Sequence, residues 1–559
     1  MPKVYEDIAA ALARLHAGPV FGLMGDGNLK FVSALKYQHG TAYHAARHEN
    51  AAVAMADGWA RVAARPGVCS VTQGPGLTNA LTALVEAHKA GTPMVALIGD
   101  TPRDQPWHNQ NVDQRAVTES LGIPYASLEN PVGVGAQLSE AFALAQRRGG
   151  PVVVGVPTDL QELESQPTSF DLPQEVPRSV AAGEAVRRVA DLVAAAKRPV
   201  VLAGRGAVNS GAQDVLTRLA DRLGALTATS AVAKAFFGER SLDVGIAGGF
   251  SSPLAVQLLS QADLVLGFGV SFTHWTTRMG TLFASATVVQ CEHDPAVVGS
   301  NGAIDVALIG DARETAAALL AELERRELDV AGWGDTDVAE QISAQRDAGR
   351  DTLTPPDKQV DGETLVHSID ALLPAEKHVV VDSGHFMGYP AMHMKVSRER
   401  QFIFAQDFQS VGLGLATALG VAIAEPDVFT VAVVGDGGLM MSLGELDTAV
   451  RVGLPLLIVV MNDAAYGAEY HLLSRFGFPV EGSRFPDSDF AAIAEAVGAR
   501  GATVARYRDL AAVNGWLDDP SGPFLLDCKI DPSVMAGWFE EIFALRERSA
   551  ATTGVSASR

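Results

Sequence analysis

The chain has 559 residues, 48% of them hydrophobic and 19% charged, enough for three or four globular domains at roughly 150 residues each. Its 65 acidic against 43 basic side chains give a net charge of −22, and no cluster of Lys and Arg stands out to neutralise phosphates, which excludes a nucleic-acid surface. Three cysteines (Cys69, Cys291, Cys528) at spacings that suit neither a disulfide framework nor a metal site, and no apolar run of membrane-spanning length, exclude a disulfide scaffold and a membrane span.

Short apolar runs alternate with Ala-rich helical patterns along the chain, which predicts an α/β fold built from three parallel-sheet domains. The first domain is expected over residues 1–165, with strands at Val20 to Leu23, Val68 to Thr72, Met94 to Ile98 and Val152 to Val156. Its opening segment, MPKVYEDIAAALARL, carries acids and no continuous apolar core of a signal peptide, so a cytoplasmic location is the expectation. Asp26 lies in the loop Met24 to Leu29. Glu49 precedes the nearly all-apolar run Ala51 to Ala56, so its helix is predicted to be buried and its carboxyl to need a partner. Gln73 ends a strand before the turn Gly74-Pro75-Gly76, and His108 and Gln110 share the loop Pro106 to Gln110. A Pro-rich acidic stretch from Pro157 to Ser179 reads as a surface linker.

The second domain is expected over 181–330, with strands at Pro199 to Ala203, Leu264 to Phe268, Val288 to Cys291 and Val306 to Ile309. Its Gly204 to Gly211 segment narrowly misses a dinucleotide-binding GxGxxG, and no ribose-binding acid follows. The polar segment Gly332 to Lys358 reads as a second linker, and the third domain is expected over 360–540. Beyond Glu547 the small, polar tail predicts disorder.

The third domain holds the stretch with the clearest chemistry. A strand, Val431 to Val434, runs into the turn Gly435-Asp436-Gly437-Gly438; a helix is predicted from near Leu439; a second strand, Leu456 to Met461, ends in Asn462-Asp463. Parallel strands deliver their carboxyl ends to one edge, where open α/β sheets bind ligands, so Asp436 and Asp463 should meet there. Two hard oxygen ligands suit Mg²⁺, and a glycine turn opening a helix lets backbone N–H groups approach a phosphate.

This pattern resembles the diphosphate-binding motif of thiamine diphosphate enzymes, with the separation 463 − 436 = 27 and an Asp where the motif closes on a second Asn. The three-domain order resembles the branch that includes acetolactate synthase and pyruvate decarboxylase, with pyrimidine-binding, central and diphosphate-binding domains. By that resemblance, Asp436, Asp463 and the Ala465 carbonyl hold Mg²⁺. Gly435, Gly437, Gly438, Leu439, Tyr466 and Gly467 line the diphosphate, and His385 and Gln409 contact the cofactor. Val411 is the apolar wedge that bends the cofactor, and Glu49 bonds the pyrimidine ring nitrogen. Gln73, His108 and Gln110 face the reacting centre. Asp26 and Glu469 (469 − 463 = 6) match acids of the decarboxylases that acetolactate synthases typically lack. Read without the resemblance, Val411 is a core valine, Gln73 a turn residue, His108 a loop histidine, and Asp26 and Glu469 exposed carboxylates.

The resemblance implies decarboxylation of a 2-keto acid such as pyruvate with carboligation to a second carbonyl. Simple release of an aldehyde, as in pyruvate or benzoylformate decarboxylases, is the alternative; a nucleotide-dependent oxidoreductase and a non-catalytic homologue rank below it. It also implies a homodimer or homotetramer with sites at subunit interfaces, and leaves FAD in the central domain open, with Gly269 to Phe272 and Glu292 to Asp294 where its contacts would fall.

Overall fold

The computed structural model describes residues 1–174, 177–328, 330–334, 336–348 and 360–553. Three six-stranded sheets follow one another along the chain. The first contains β1 (Val20–Gly22), β2 (Tyr43–Ala45), β3 (Gly67–Val71), β4 (Met94–Asp100), β5 (Tyr125–Ser127) and β6 (Pro151–Pro157), in the order β2-β1-β3-β4-β6-β5. The second contains β7 (Pro199–Ala203), β8 (Leu226–Thr229), β9 (Asp243–Ile246), β10 (Leu264–Phe268), β11 (Thr287–Glu292) and β12 (Val306–Ile309), in the order β12-β11-β10-β7-β8-β9. The third contains β13 (Lys377–Asp382), β14 (Phe402–Ala405), β15 (Phe429–Gly435), β16 (Leu456–Asn462), β17 (Arg500–Val504) and β18 (Pro523–Lys529), in the order β14-β13-β15-β16-β18-β17. Pairing is parallel, and the central strands are buried on both faces, as continuous runs such as Leu456 to Asn462 require.

The chain divides into two compact units. One joins Met1–Val176, His378–Gly384 and Ile403–Ile530, and so holds the first and third sheets; the other joins Pro177–Lys377, His385–Phe402 and the chain from Asp531 on, around the second sheet. Within the first unit, a single apolar core runs from the first sheet to the third, and two helices form its centre: Glu49–Ala63 and Gly414–Ala424. They touch backbone to backbone. A Cβ at Gly58 would collide with the Thr417 carbonyl, and one at Gly420 with the Met55 carbonyl. These two contacts pair rising with falling residue numbers, so the helices run antiparallel. Their neighbours are Ala and Val, whose small side chains let the axes come close.

A buried ion cluster closes one end of this pair. Arg61 Nη2 lies 2.7 Å from Asp57 and 3.2 Å from Glu86, while Nη1 donates to the Phe404 carbonyl at 2.6 Å and reaches Asp407 at 3.4 Å. Glu86 in turn accepts the N–H groups of Asp407 and Phe408 at 2.8 and 2.6 Å. Burial pushes the Glu86 carboxyl up, with Arg61 opposing the shift.

Three features of the linkers and tail depart from the sequence reading. The first linker forms a short helix, Thr158–Gln161, and bridges back at Lys3↔Glu164 and Val132↔Gln166. The expected second linker contains the helix Thr336–Ala348, because Val338 and Ile342, four residues apart, give it an apolar stripe that packs on the core of the second sheet; Pro355 and Pro356 lie outside the described residues. The tail expected to be disordered beyond Glu547 instead continues a helix, Gly537–Thr553, since its Ser-Ala-Ala-Thr-Thr sequence contains nothing that breaks one; residues 554–559 lie outside the described residues. No described helix is long and apolar enough to cross a membrane.

Overpacking a backbone contact costs about 1–3 kcal/mol. Gly420→Ala is therefore expected to lower the thermal midpoint of the protein in calorimetry, whereas Gly515→Ala, at a glycine with open space around it, leaves it in place.

Candidate active site

The first and third sheets have the same strand order, and in each the order reverses between the first and third strands. The loops leaving the carboxyl ends at such a point diverge to opposite faces and leave a crevice between them. Each sheet gathers a set of polar groups there.

In the first sheet, Asp26 follows β1, Thr72 and Gln73 follow β3, and the loop with His108 and Gln110 follows β4. The structure brings these together. Asp26 Oδ1 accepts from Gln73 Nε2 at 3.0 Å and from Thr72 Oγ1 at 3.1 Å, and the same Gln73 amide donates to Gln110 Oε1 at 2.7 Å. His108 Nδ1 accepts the Gln110 N–H at 3.2 Å. Gln73 is buried while Asp26 is exposed, so the network runs from the core to the surface of the crevice. Gly27 is required here, since a side chain would occupy the position of the Gln73 amide oxygen.

Glu49 is the first residue of its helix and is buried, as its apolar run predicts. Its Oε2 accepts from Asn79 Nδ2 at 3.1 Å. The preceding turn is held by the first residue of the helix Glu445–Val452: Glu445 Oε1 accepts the N–H groups of Arg47 and His48 at 3.0 and 3.1 Å, and Thr448 donates to its other oxygen at 2.7 Å.

In the third sheet, Asp382 ends β13, Asp436 follows β15 and Asp463 follows β16. The helix after the glycine turn begins at Asp436 itself, three residues earlier than expected, and breaks after Met441 before a second helix, Glu445–Val452. Burial pushes the Asp436 carboxyl up to about 6. Burial and then the charge of Asp436 push Asp463 up to about 7. Asp436 is buried and Asp463 half-buried, and among the described residues no positive charge offsets the rise in either carboxyl. Asp463 Oδ1 accepts the Ala465 N–H at 3.1 Å, and the residue between them, Ala464, is held at φ 53°. Asn462 secures this bend: its amide donates to Asp527 at 2.8 Å and its oxygen accepts the Ala464 N–H at 3.1 Å.

The floor of this site is backbone. A Cβ at Gly437 would lie 2.5 Å from the Tyr466 ring, and one at Gly438 would lie 2.6 Å from Asp382 Oδ2 and 3.1 Å from Val411 Cγ1. Tyr466 is fixed by Phe485, ring centroids 4.7 Å apart, and by its N–H to the Ser483 carbonyl at 2.8 Å. Paired hard oxygens beside a side-chain-free cradle fit a phosphate-bridged Mg²⁺. Leu439 and Ala465 are buried; Gly435 caps the short helix; Gly467 starts the helix Gly467–Arg475, on which Glu469 is exposed.

Asp382 is the residue the sequence reading passed over. Its two oxygens accept the Gly412 N–H at 3.2 and 2.9 Å and Oδ1 accepts the Ser383 N–H at 2.8 Å, while burial pushes its pKa up to about 7. Asp382 thus fixes Gly412, at φ 95°, and with it Val411, which is 39% exposed rather than a core valine. Gln409, two residues earlier, is exposed and held at φ 57°. An Asp at the end of an apolar strand was the available signal.

His385 belongs to the other unit, where its Nε2 accepts the Ala536 N–H at 2.7 Å and its ring meets Phe539 edge-on. In that unit Gly204 and Gly206 are packed against Gly269, so the near-GxGxxG glycines serve contact between the ends of β7 and β10. Glu292 pairs with His293 Nδ1 at 2.7 Å.

Glu49 begins one of the two helices that form the centre of the core, and the Val411 turn leads into the other. The contacts Gly58 with Thr417 and Met55 with Gly420 place Gly414 level with Arg61 along the antiparallel helices. Glu49 is 12 residues before Arg61, which at 1.5 Å per residue is about 18 Å along the axis. Glu49 and the turn of Val411 and Gly412 therefore stand at opposite ends of the pair.

Residues 2–117 match the family description "Thiamine pyrophosphate enzyme, N-terminal TPP binding domain", residues 186–319 its central domain and residues 382–528 its C-terminal TPP binding domain. The chain is 27% identical over 543 residues to a probable acetolactate synthase large subunit of Methanococcus aeolicus, covering 92% of this chain and 90% of that one. It is 28% identical to the acetolactate synthase large subunit of Parasynechococcus marenigrum (93% and 86% covered), and 27% identical to the isozyme 3 large subunit of Escherichia coli (88% of each).

Because the folded-state pKa values of Asp436 and Asp463 are raised into the neutral range, protons compete with a metal there. Affinity for Mg²⁺ with thiamine diphosphate, followed by calorimetric titration, is expected to rise about tenfold or more from pH 6 to 7.5, with proton release on binding. Asp463→Ala should abolish Mg²⁺ retention; equal affinity at the two pH values would contradict the paired-carboxylate site.

Proposed function

The chain belongs to the thiamine pyrophosphate enzymes and is an acetolactate synthase-like member, and from that premise we propose that it decarboxylates a 2-keto acid and joins the remaining fragment to a second carbonyl. The observation that carries this reading is the pair Asp436 and Asp463 beside the backbone cradle of Gly437 and Gly438. Bound thiamine diphosphate supplies a carbanion nucleophile and an electron sink.

The protein's share is positioning and proton control. Asp436, Asp463 and the Ala465 carbonyl hold Mg²⁺. Val411, fixed by Asp382 through Gly412, presents an apolar surface that sets the angle between the cofactor rings. Glu49, buried and bonded to Asn79, offers a carboxylate to a ring nitrogen. Asp26, Gln73, Gln110 and His108 face the substrate as one hydrogen-bonded set. Asp26 enters that set as an acceptor from Gln73 and Thr72.

The axial separation of about 18 Å between Glu49 and the level of Gly414, beyond which the Val411 turn lies, supports a homodimer, or a homotetramer built from it, in which Glu49 of one copy serves the Asp436 site of another. The reading places the enzyme in the cytoplasm, acting on small carbonyl compounds; it does not require FAD.

With pyruvate, thiamine diphosphate and Mg²⁺, chromatography should identify acetolactate; acetaldehyde alone would establish the simple decarboxylase instead. Glu49→Gln is expected to lower kcat about 100-fold or more. Co-expressing Glu49→Gln with Asp463→Ala subunits should restore about a quarter of wild-type activity, because random pairing leaves one intact site in half of the dimers. No recovery, with mixed dimers present, would place the whole site in one chain.

A further inference from the structure

In the unit around the second sheet, Glu363 and His367 lie one turn apart on the helix Gly362–Leu372, and His393 is the last residue of the helix Gly388–His393. One ligand atom from each of the three lies within 4.8 Å of the others, the one group of at least three such side chains among the described residues. His393 Nε2 is 3.5 Å from Glu363 Oε1, and the two imidazole rings have centroids 4.4 Å apart. The scaffold is rigid. Asp361 caps the first helix by accepting the Thr364 N–H at 2.9 Å, and Gly362 packs so closely on the Tyr389 ring that a Cβ there would lie 2.4 Å from it.

We propose that Glu363, His367 and His393 bind a transition-metal dication, Zn²⁺ by ligand type, and that the ion fastens these two helices together. Two imidazole nitrogens and one carboxylate oxygen make a borderline-soft set, better matched to Zn²⁺ than to Mg²⁺, and three protein ligands leave one tetrahedral position to water. All three side chains are at least partly accessible, so an ion can enter.

Around His393, burial and the neighbouring His367 and Lys234 lower the pKa of the ring. The opposing charge is Lys234, whose Nζ donates to the carbonyls of Ala391 and Met394 at 2.6 Å each; burial lowers its pKa to about 7, so it is only partly charged near neutrality. Asp370, 2.9 Å from Lys377 Nζ, adds a negative charge on the same helix.

The test uses tag-free protein saturated with thiamine diphosphate and Mg²⁺, so that hard-oxygen sites are filled. Co²⁺ serves as the probe, since strong visible absorption reports a four-coordinate site of the kind Zn²⁺ takes. One equivalent per chain should give a visible band that Zn²⁺ removes and excess Mg²⁺ does not, and Zn²⁺ should raise the thermal midpoint. His367→Ala and His393→Ala should abolish the band and the shift, and Glu363→Gln, at an exposed side chain, should weaken Zn²⁺ affinity about tenfold or more while the fold is kept. Absence of a band in the wild type, a band that survives in all three variants, or displacement by Mg²⁺ would overturn the assignment.

Discussion

The architecture of the catalytic unit rests on one contact: the backbones of the helices Glu49–Ala63 and Gly414–Ala424 touch at Gly58 and Gly420. Glycine lets each helix seat against a carbonyl of the other, so a core of small side chains fills completely between the first and third sheets. Arg61 then locks one end through Asp57, Glu86 and Asp407. Taking two charges out of water is costly, and this cluster holds three carboxylates around one guanidinium. It is tolerated because Glu86 also accepts two backbone N–H groups and Arg61 donates to the Phe404 carbonyl. The same cluster orients the strand end that leads into Gln409 and Val411. Packing energetics and site geometry are therefore coupled through one helix pair.

The antiparallel sense of that pair determines how the chemistry is distributed. With one strand order used twice, the first and third sheets carry functional groups at equivalent tips, after their first, third and fourth strands. In the first sheet the groups are amides and carboxylates that satisfy one another; in the third they are carboxylates that repel. Only the second set calls for a cation. The antiparallel pair sets Glu49 and the turn of Val411 and Gly412 at opposite ends of the bridge between the two sheets.

Much of this was legible in the sequence. Interior strands such as Pro199–Ala203, Leu264–Phe268 and Leu456–Asn462 announce themselves because burial on both faces demands unbroken apolar runs. Edge strands such as Tyr43–Ala45 and Arg500–Val504 do not, because one side faces solvent and their residues are mixed. The Asp436 and Asp463 motif is local, so its spacing reveals it. The partners that position the site are not local: Glu445 reaches Arg47 across 398 residues and Glu86 reaches Phe408 across 322. Asp382 escaped notice for a related reason, since its role depends on meeting Gly412, 30 residues later, in a turn whose left-handed backbone only the folded chain defines.

Strain and charge at the third sheet point the same way. Ala464 and Gln409 hold left-handed backbone conformations that cost a non-glycine residue of order 1 kcal/mol or more, and each sits beside a residue expected to touch the cofactor or its metal. Asn462, bonded to Asp527, holds one bend, and Asp382, bonded to Gly412, holds the turn after the other. Asp527 is itself committed to Lys529 and the Phe490 N–H. The fold thus fixes the positions of Asp463 and Val411 in advance of any ligand, at the expense of two strained residues and two carboxylates forced toward protonation. A cation between Asp436 and Asp463 would offset the repulsion without moving the backbone. Metal binding at this edge would therefore be chiefly an exchange of protons for a cation in a cradle already formed.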